Sequence, residues 1–324
     1  MANDLRADHP LVYFVILNWN QRDLTLDCLA SLSELDYPNY SIVLVDNGSQ
    51  DDSVTLVRRR FPGVILIENR QNLGYSEGNN VGIRRALVER ADYVLLLNND
   101  TTVDPGFLRT LIKVAESDPA IGMVGPTMYY AQPSNMIWGA ANYINWTEGT
   151  VIRQLMGQLD DGSGTVLPGS PQEVDAIDTC ALLVKREVVE KIGLMDGRYF
   201  INYDDVDWCV RARKAGYTLV YVPDARMWHK VSASMGQASP ATTYYMTRNA
   251  LLFFWRHAQG TSRFLSVRHI LARTIRTIGA WTLKPKYRAF RRKRDANLFA
   301  IRDFFLGRFG KMGPDVARVC YGRE

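Results

Sequence analysis

A mixed, mainly parallel α/β sheet flanked by helices, followed by a helical and basic C-terminal extension, is the fold class predicted by this 324-residue sequence. Three observations predict it. The first part of the chain alternates short Val/Ile/Leu-rich runs with helical patterns. Those runs are continuously apolar rather than alternating, which marks strands buried on both faces. From Ala225 to Arg294 there is no Asp or Glu but 15 Lys or Arg, so a net charge of +5 divides into a body near −10 and a strongly basic tail.

The elements follow in order. Val12–Leu17 reads as the first strand, and Asp23–Glu34 as a helix with Leu24, Cys28, Leu29 and Leu32 on one face. Ile42–Val45 is the second strand, with a helix over Ser53–Phe61; Val64–Ile67 is the third, with a helix from Gly74 to about Arg90. Tyr93–Leu97 is the fourth, then a helix from Pro105 to Ala115, and Ile121–Val124 is the fifth. From Thr127 to Asp178 the sequence turns aromatic, Gly-rich and irregular, which predicts short mixed strands and a mobile loop. Helices are expected at about Arg186–Ile192 and Asp205–Ala215, the latter ended by Gly216, and the chain after Pro240 reads as helical. This gives an α/β body over 1–239, with halves of about 1–125 and 126–239, and an extension over 240–324.

The composition, 47% hydrophobic and 23% charged, is that of an ordinary globular protein with a sizeable core. Met1–Pro10 carries no apolar run and reads as no leader. Apolar stretches such as Leu11–Leu17 fall far short of the roughly 20 residues that span a bilayer. Cys28, Cys180, Cys209 and Cys320 are scattered without metal spacing, so free thiols in a reducing cytoplasm are expected.

Parallel sheets bind ligands at the C-terminal ends of their strands. The first strand ends in Leu17-Asn18-Trp19-Asn20 and the second in Asp46-Asn47-Gly48-Ser49. A carboxylate there accepts from a pyrimidine N3–H or a ribose hydroxyl, or else caps the helix near Asp51–Ser53. The fourth strand ends in Asn98-Asn99-Asp100. Its carboxylate either joins in holding a divalent cation bridging two phosphates or shapes an Asx turn. Asp204, Asp205 and Asp207 put three carboxylates within four residues at a helix start, more than the positive helix end calls for, and one can serve as general base. Trp228-His229-Lys230, running on to Ser232 and Ser234, offers a histidine that is either a metal ligand or an ordinary core residue.

Taken together and in this order, Val12–Asn20, Val43–Ser49, Asn69–Gly82, Leu95–Phe107, Cys180–Arg211 and His229–Ser234 resemble the family 2 glycosyltransferases of the GT-A fold. They are most similar to the bacterial rhamnosyltransferase-like branch, as is the segment Tyr244–His257 with Arg248-Asn249 amid aromatics. The resemblance implies inverting transfer of a sugar, L-rhamnose in that branch, from a dTDP- or UDP-linked nucleoside-diphosphate donor to a hydroxyl of a glycan or lipid-linked acceptor. It puts Asp46 at the nucleobase, with Leu17, Asn18 and Trp19 beside it. Asn98, Asn99 and Asp100 fall on the donor and metal motif, with Asp100 and His229 on Mg²⁺ or Mn²⁺. Asp205 falls on the catalytic base, and Asp204 and Trp208 on acceptor contacts. Asn98 stands where the family has an Asp, and Asp204 where it has a Glu.

Other readings fare worse. A dinucleotide-binding dehydrogenase would need G-x-G-x-x-G where Leu17-Asn-Trp-Asn-Gln stands. A nucleic-acid binder accounts for the basic tail but not for the acidic cluster. A degenerate transferase fold that only binds glycan or membrane would not need Asp100, Asp204, Asp205 and His229 together. In the tail, Thr261–Leu283 reads as a helix interleaving apolar residues with arginines, and Lys284–Arg294 adds seven positive charges. That pattern suits docking on the anionic inner face of the cytoplasmic membrane, with packing on the α/β body or across a homodimer as the alternative.

Overall fold

The computed structural model describes residues 9–230 and 239–322, and the statements below concern these. The chain forms two compact units. The first comprises Met1–Tyr143, Arg153–Met195 and Trp208–Val231; the second comprises Ile144–Ile152, Asp196–Asp207 and Ser232–Glu324.

The first unit is built on β1 (Val12–Asn18), β2 (Tyr40–Asp46), β3 (Ile65–Glu68) and β4 (Tyr93–Asn98), laid parallel in the order β3-β2-β1-β4. The crossovers are α1 (Arg22–Leu32), α2 (Ser53–Arg60) and α3 (Gly74–Val88). Val12, Phe14, Val15 and Ile16 of β1 and Val94, Leu95 and Leu96 of β4 are all fully buried, as strands covered on both faces must be. The helix α3 lies so close on β1 that a Cβ at Gly82 would stand 2.4 Å from Val15 Cγ1, and one at Gly78 2.6 Å from Leu17 Cδ1.

Beyond β4 come β5 (Thr101–Val103), α4 (Phe107–Ala115) and β6 (Ile121–Tyr130), then β7 (Ile137–Gly139), which pairs with β6. The pair β8 (Asn142–Asn145) and β9 (Thr150–Arg153) forms a separate two-stranded ribbon. After β10 (Gln172–Glu173), β11 (Ala181–Lys185) inserts antiparallel between β4 and β6, followed by α5 (Arg186–Ile192) and α6 (Asp204–Lys214). The strand β12 (Thr218–His229) then runs parallel to β6 and also pairs with β5. The sequence reading places no strand at β11 or β12, and β6 runs six residues past its expected end at Val124. Pro223-Asp224 interrupts the apolar pattern of β12, and the structure absorbs the break as a register shift between Val222 and Arg226. The mainly parallel, mixed sheet with helical cover is the one expected.

In the second unit α7 (Pro240–His257) opens with Ser239 Oγ accepting from Thr242 N at 3.0 Å and Pro240 in its first turn. It is followed by α8 (Gly260–Leu283), a 3₁₀ turn at Pro285–Phe290, α9 (Arg291–Phe305) and α10 (Pro314–Tyr321). Tyr244, Tyr245, Ala296, Ala300 and Val316 form its core, against which Phe200 and Ile201 pack. Of the 24 residues of α8 only Ser266 and Ile270 are buried. Among the described residues no helix is long and apolar enough to cross a membrane.

Candidate active site

At the C-terminal ends of β1, β2 and β4 a polar lattice ties three strands together. Asn18, with no exposed surface, donates from Nδ2 to Asp46 Oδ1 at 2.8 Å and accepts at Oδ1 from Thr25 Oγ1 at 2.8 Å and Asn99 Nδ2 at 3.2 Å. Asp46, 2% exposed, also accepts from Ser49 Oγ at 2.6 Å, Ser49 N at 2.9 Å and Gly48 N at 3.2 Å. These bonds occupy about all four lone-pair positions of its carboxylate. Asp46 therefore shapes the turn after β2 in this conformation, and a base or ribose at the place the resemblance implies would have to share or displace these donors. The capping alternative fails, because Asp51 rather than Asp46 binds Ser53 N at the start of α2. Gly48, at φ +80° and with a Cβ position 3.0 Å from the Gln71 backbone, makes this turn fit only glycine.

The surface over this lattice is left to Trp19, which is 44% exposed, and to Leu17, half-buried beside it. Asn99 is buried and bonded to Thr25 Oγ1 at 2.9 Å. Asn98 accepts from Tyr75 Oη at 2.8 Å and donates to Cys180 Sγ at 3.3 Å, so its amide links β4 to α3 and to the residue just before β11. Burial pushes the neighbouring Cys28 thiol up to about 12, which keeps it protonated and unreactive.

Asp100 and His229 meet because β5 pairs with β12, setting Thr101 opposite His229. Asp100 Oδ1 lies 3.0 Å from His229 Nε2 and both side chains are nearly buried, yet Asp100 Oδ1 has no aligned hydrogen bond and His229 Nδ1 no partner among the described residues. The imidazole is held edge-on by Trp138, with ring centroids 4.6 Å apart. Arg153 lies on the Trp138 ring, Cζ 4.0 Å from its centroid, and reaches Asp178 at 2.6 Å. A carboxylate and an imidazole, both buried and incompletely satisfied, are donors that suit Mg²⁺ or Mn²⁺. Among the described residues no three His, Cys, Asp or Glu side chains gather to hold an ion alone, so a substrate phosphate would have to complete the shell. Ser232 and Ser234 lie outside the described residues.

In the second unit the three carboxylates at the start of α6 are sorted by burial. Asp207 has no exposed surface, and its Oδ1 receives Tyr199 Oη at 3.1 Å, Arg256 Nη1 at 3.0 Å and His257 Nε2 at 2.7 Å. Asp204 is 2% exposed, whereas Asp205 stays half-exposed with Oδ1 2.8 Å from Val206 N. Phe200, Asn202 and Tyr203, just before them, have φ of 66°, 66° and 67°. Such left-handed residues cost on the order of 1–3 kcal/mol each. Burial, followed by the charge of Asp205, raises the Tyr203 hydroxyl to about 12. In the first unit, Trp208 has no exposed surface and donates from Nε1 to Gly193 O at 2.9 Å. Trp208 and Asp204, the expected acceptor contacts, thus have almost no exposed surface, because both face inward on their helix.

Thr25, Ser49, Tyr75, Trp138 and Arg153 are members of these networks that sequence reasoning missed. Their signals are single polar or aromatic residues in helices, in the turn after β2 and in the short strands β7 and β9, and only tertiary pairing gives them a role.

The comparisons with known proteins concern the family and the fold. The family model described as "Glycosyltransferase like family 2" matches residues 9–249. The N-acetylglucosaminyl-diphospho-decaprenol L-rhamnosyltransferase of Mycobacterium tuberculosis is 30% identical over 268 residues, 74% of this chain and 79% of that protein. The dTDP-rhamnosyl transferase RfbF of Shigella flexneri is 26% identical over 284 residues, covering 82% and 86%. Among solved structures, the Pyrobaculum calidifontis mannosyltransferase in complex with GDP-Man and Mn²⁺ aligns with TM-score 0.57 at 16% identity, covering 92% of this chain and 88% of that one. S. aureus TarS 1–349 in complex with UDP-GlcNAc aligns with TM-score 0.58 at 13% identity, covering 91% and 80%. These two likenesses concern the fold, which is the GT-A fold.

Proposed function

The chain belongs to the glycosyltransferase-like family 2, and from that membership we propose that it transfers L-rhamnose from dTDP-L-rhamnose, with inversion, to a hydroxyl of a lipid-linked glycan acceptor in cell-surface polysaccharide synthesis. The donor and acceptor are read from the two rhamnosyltransferase relatives, with UDP-hexoses the second donor class. Asp205 is the general base in this reading. The observation that carries it is the sorting of the α6 carboxylates: Asp207 is buried under a hydroxyl, an arginine and a histidine, Asp204 is buried, and Asp205 alone keeps exposed surface. Deprotonating the acceptor hydroxyl lets it attack the anomeric carbon on the face opposite the leaving diphosphate, which inverts that centre.

Trp19 offers an exposed aromatic face to the nucleobase, and Asn18, Asp46 and Asn99 keep the strand ends beneath it rigid. Asp100 and His229 would hold Mg²⁺ or Mn²⁺, which when bound neutralises charge on the departing diphosphate. Arg153, half-buried against the Trp138 ring that meets His229, adds positive charge to the same cluster. The helix α8 and the basic run Lys284–Arg294 would hold the enzyme peripherally on the anionic cytoplasmic face of the membrane, where a lipid-linked acceptor is found.

The test is Asp205→Asn, assayed with dTDP-L-rhamnose and a short-chain prenyl-diphospho-N-acetylglucosamine acceptor. Donor affinity and the melting temperature should stay near those of the parent protein while kcat drops by about 10²–10⁴-fold. Near-normal turnover would remove Asp205 from the role.

A further inference from the structure

The segment preceding Asp205 holds three non-glycine residues in the left-handed region, Phe200, Asn202 and Tyr203, and a backbone so turned needs something to hold it. Two adjacent side chains of α7 take up its carbonyl groups. Asn249, with no exposed surface, directs Nδ2 at Tyr199 O (2.8 Å), Ile201 O (2.8 Å) and Asn202 O (3.0 Å). Arg248, equally buried, directs Nη2 at Arg198 O and Tyr199 O, both at 3.3 Å, and Nη1 at Gly310 O at 2.9 Å. Its Nε donates to Asn249 Oδ1 at 3.0 Å, which locks the two side chains to each other.

The arginine is steadied in turn. Its guanidinium lies over the rings of Tyr244 and Tyr245, 5.1 and 5.0 Å from their centroids, and receives no aid from solvent. Phe200 stacks on Tyr245 at 5.3 Å, so the loop is pinned by its side chain as well as by its carbonyls. The next hydrogen bond along the chain, Asp207 N to Tyr203 O at 2.9 Å, is already the first turn of α6. The clamp therefore ends where the helix that carries Asp205 begins. An arginine with no exposed surface, whose donors go to backbone carbonyls, to Asn249 Oδ1 and to Tyr244 Oη, touches no ligand. Its role is to hold a chain conformation.

We propose that Arg248 and Asn249 are positioning residues for Asp205: they keep the 198–203 backbone in its left-handed course and thereby fix where the carboxylate at the start of α6 stands. This rests on the reading of Asp205 as the base. Loss of the Asn249 amide frees the Ile201 and Asn202 carbonyls and leaves Tyr199 O to Arg248 alone, and the backbone relaxes toward ordinary φ values, carrying Asp205 with it.

The experiment uses the full-length protein with Asn249→Ala, Asp205→Asn and the double variant. Asn249→Ala should keep the circular dichroism spectrum and the affinity for dTDP-L-rhamnose, and lower kcat by about 100-fold, the scale of a small displacement of a reacting group. In the Asp205→Asn background the same change should lower kcat no further, because its effect passes through the missing base. Equal factors in both backgrounds would mean a general structural role and overturn the proposal. Hydrogen exchange gives a readout independent of substrate: in Asn249→Ala the 196–207 peptides should exchange faster while those of β1 and β4 do not. Unchanged exchange there would also overturn it. Near-normal turnover of Asp205→Asn would instead overturn the base assignment, with the exchange result still deciding whether the clamp exists. If Asn249→Ala does not fold, Asn249→Ser, which keeps one donor, is measured in the same way.

Discussion

Asp196, Asp204, Asp205 and Asp207 lie close together in sequence, yet their surroundings differ and so must their behaviour. Burial works against ionisation of Asp196, but hydrogen bonds from Arg198 and the charges of Arg198 and Arg256 outweigh it and hold its carboxyl down to about 2. A carboxyl depressed on folding contributes stability at pH above its unfolded value near 3.8, and that contribution is lost as the pH falls through about 2. Asp196→Asn should therefore lower unfolding free energy by roughly 2 kcal/mol at pH 5 and above. The gap from the parent protein should shrink steadily between about pH 4 and pH 2, measured by urea denaturation at each pH. In the first unit, Asp100→Ala and His229→Ala should each weaken Mn²⁺-dependent binding of dTDP-L-rhamnose by about 10–100-fold or more, the scale reached even by changes outside the ligand shell. Titration calorimetry with and without Mn²⁺ reads this, and a donor affinity indifferent to the metal in the parent protein would refute the assignment.

Among the elements, α8 is the one whose packing explains least of its sequence. It has 24 residues and two of them buried, while Phe264, Ile275 and Leu283 are 66%, 59% and 81% exposed. Arg268, Arg273 and Arg276 are exposed on the same helix, and the next eleven residues carry seven more cations. Each basic side chain near an anionic bilayer contributes about 1 kcal/mol, so the expected outcome is co-sedimentation with anionic but not neutral vesicles, weakened by salt. Replacing the seven basic residues of Lys284–Arg294 with glutamine should abolish it. Indifference to both vesicle types at low salt, with a dimer in sedimentation equilibrium, would favour packing between two copies instead. The reading of α8 as a helix came from periodicity alone; whether its apolar stripe is covered is a tertiary question.

At the scale of the molecule, the chain after residue 239 is not a compact unit by itself. Its core residues Tyr244, Tyr245, Ala296 and Val316 pack against Phe200 and Ile201, and its compact unit takes in Ile144–Ile152 and Asp196–Asp207. Deleting residues 240–324 would strip that core and release the carbonyls of the 198–203 segment. Such a truncated protein should lose transfer entirely and expose apolar surface around Phe200, read as aggregation on size exclusion and binding of a hydrophobic dye. A soluble, monomeric and active product would show that the catalytic loop needs no support from the C-terminal helices.

The alternation of apolar runs and helices was enough to determine the four parallel strands, their crossovers and the strand ends where polar residues gather, because burial on both faces writes itself into consecutive residues. The order of the motifs was likewise enough to point to the family, which the family comparison bears out. What only the tertiary structure decided is which of those polar residues remain available. Asp46 and Asn18 have the composition of ligand-binding residues, but hydrogen bonds from residues 2 to 81 positions away engage their oxygens in this conformation. Asp204 and Asp205, the same residue type in successive positions, differ in the direction they face on one helix, and β11 and β12 pair with neighbours that β4, β5 and β6 supply. Hydrogen-bond saturation and burial are sums over neighbours distant in sequence, so a local pattern names the candidates and the fold selects among them.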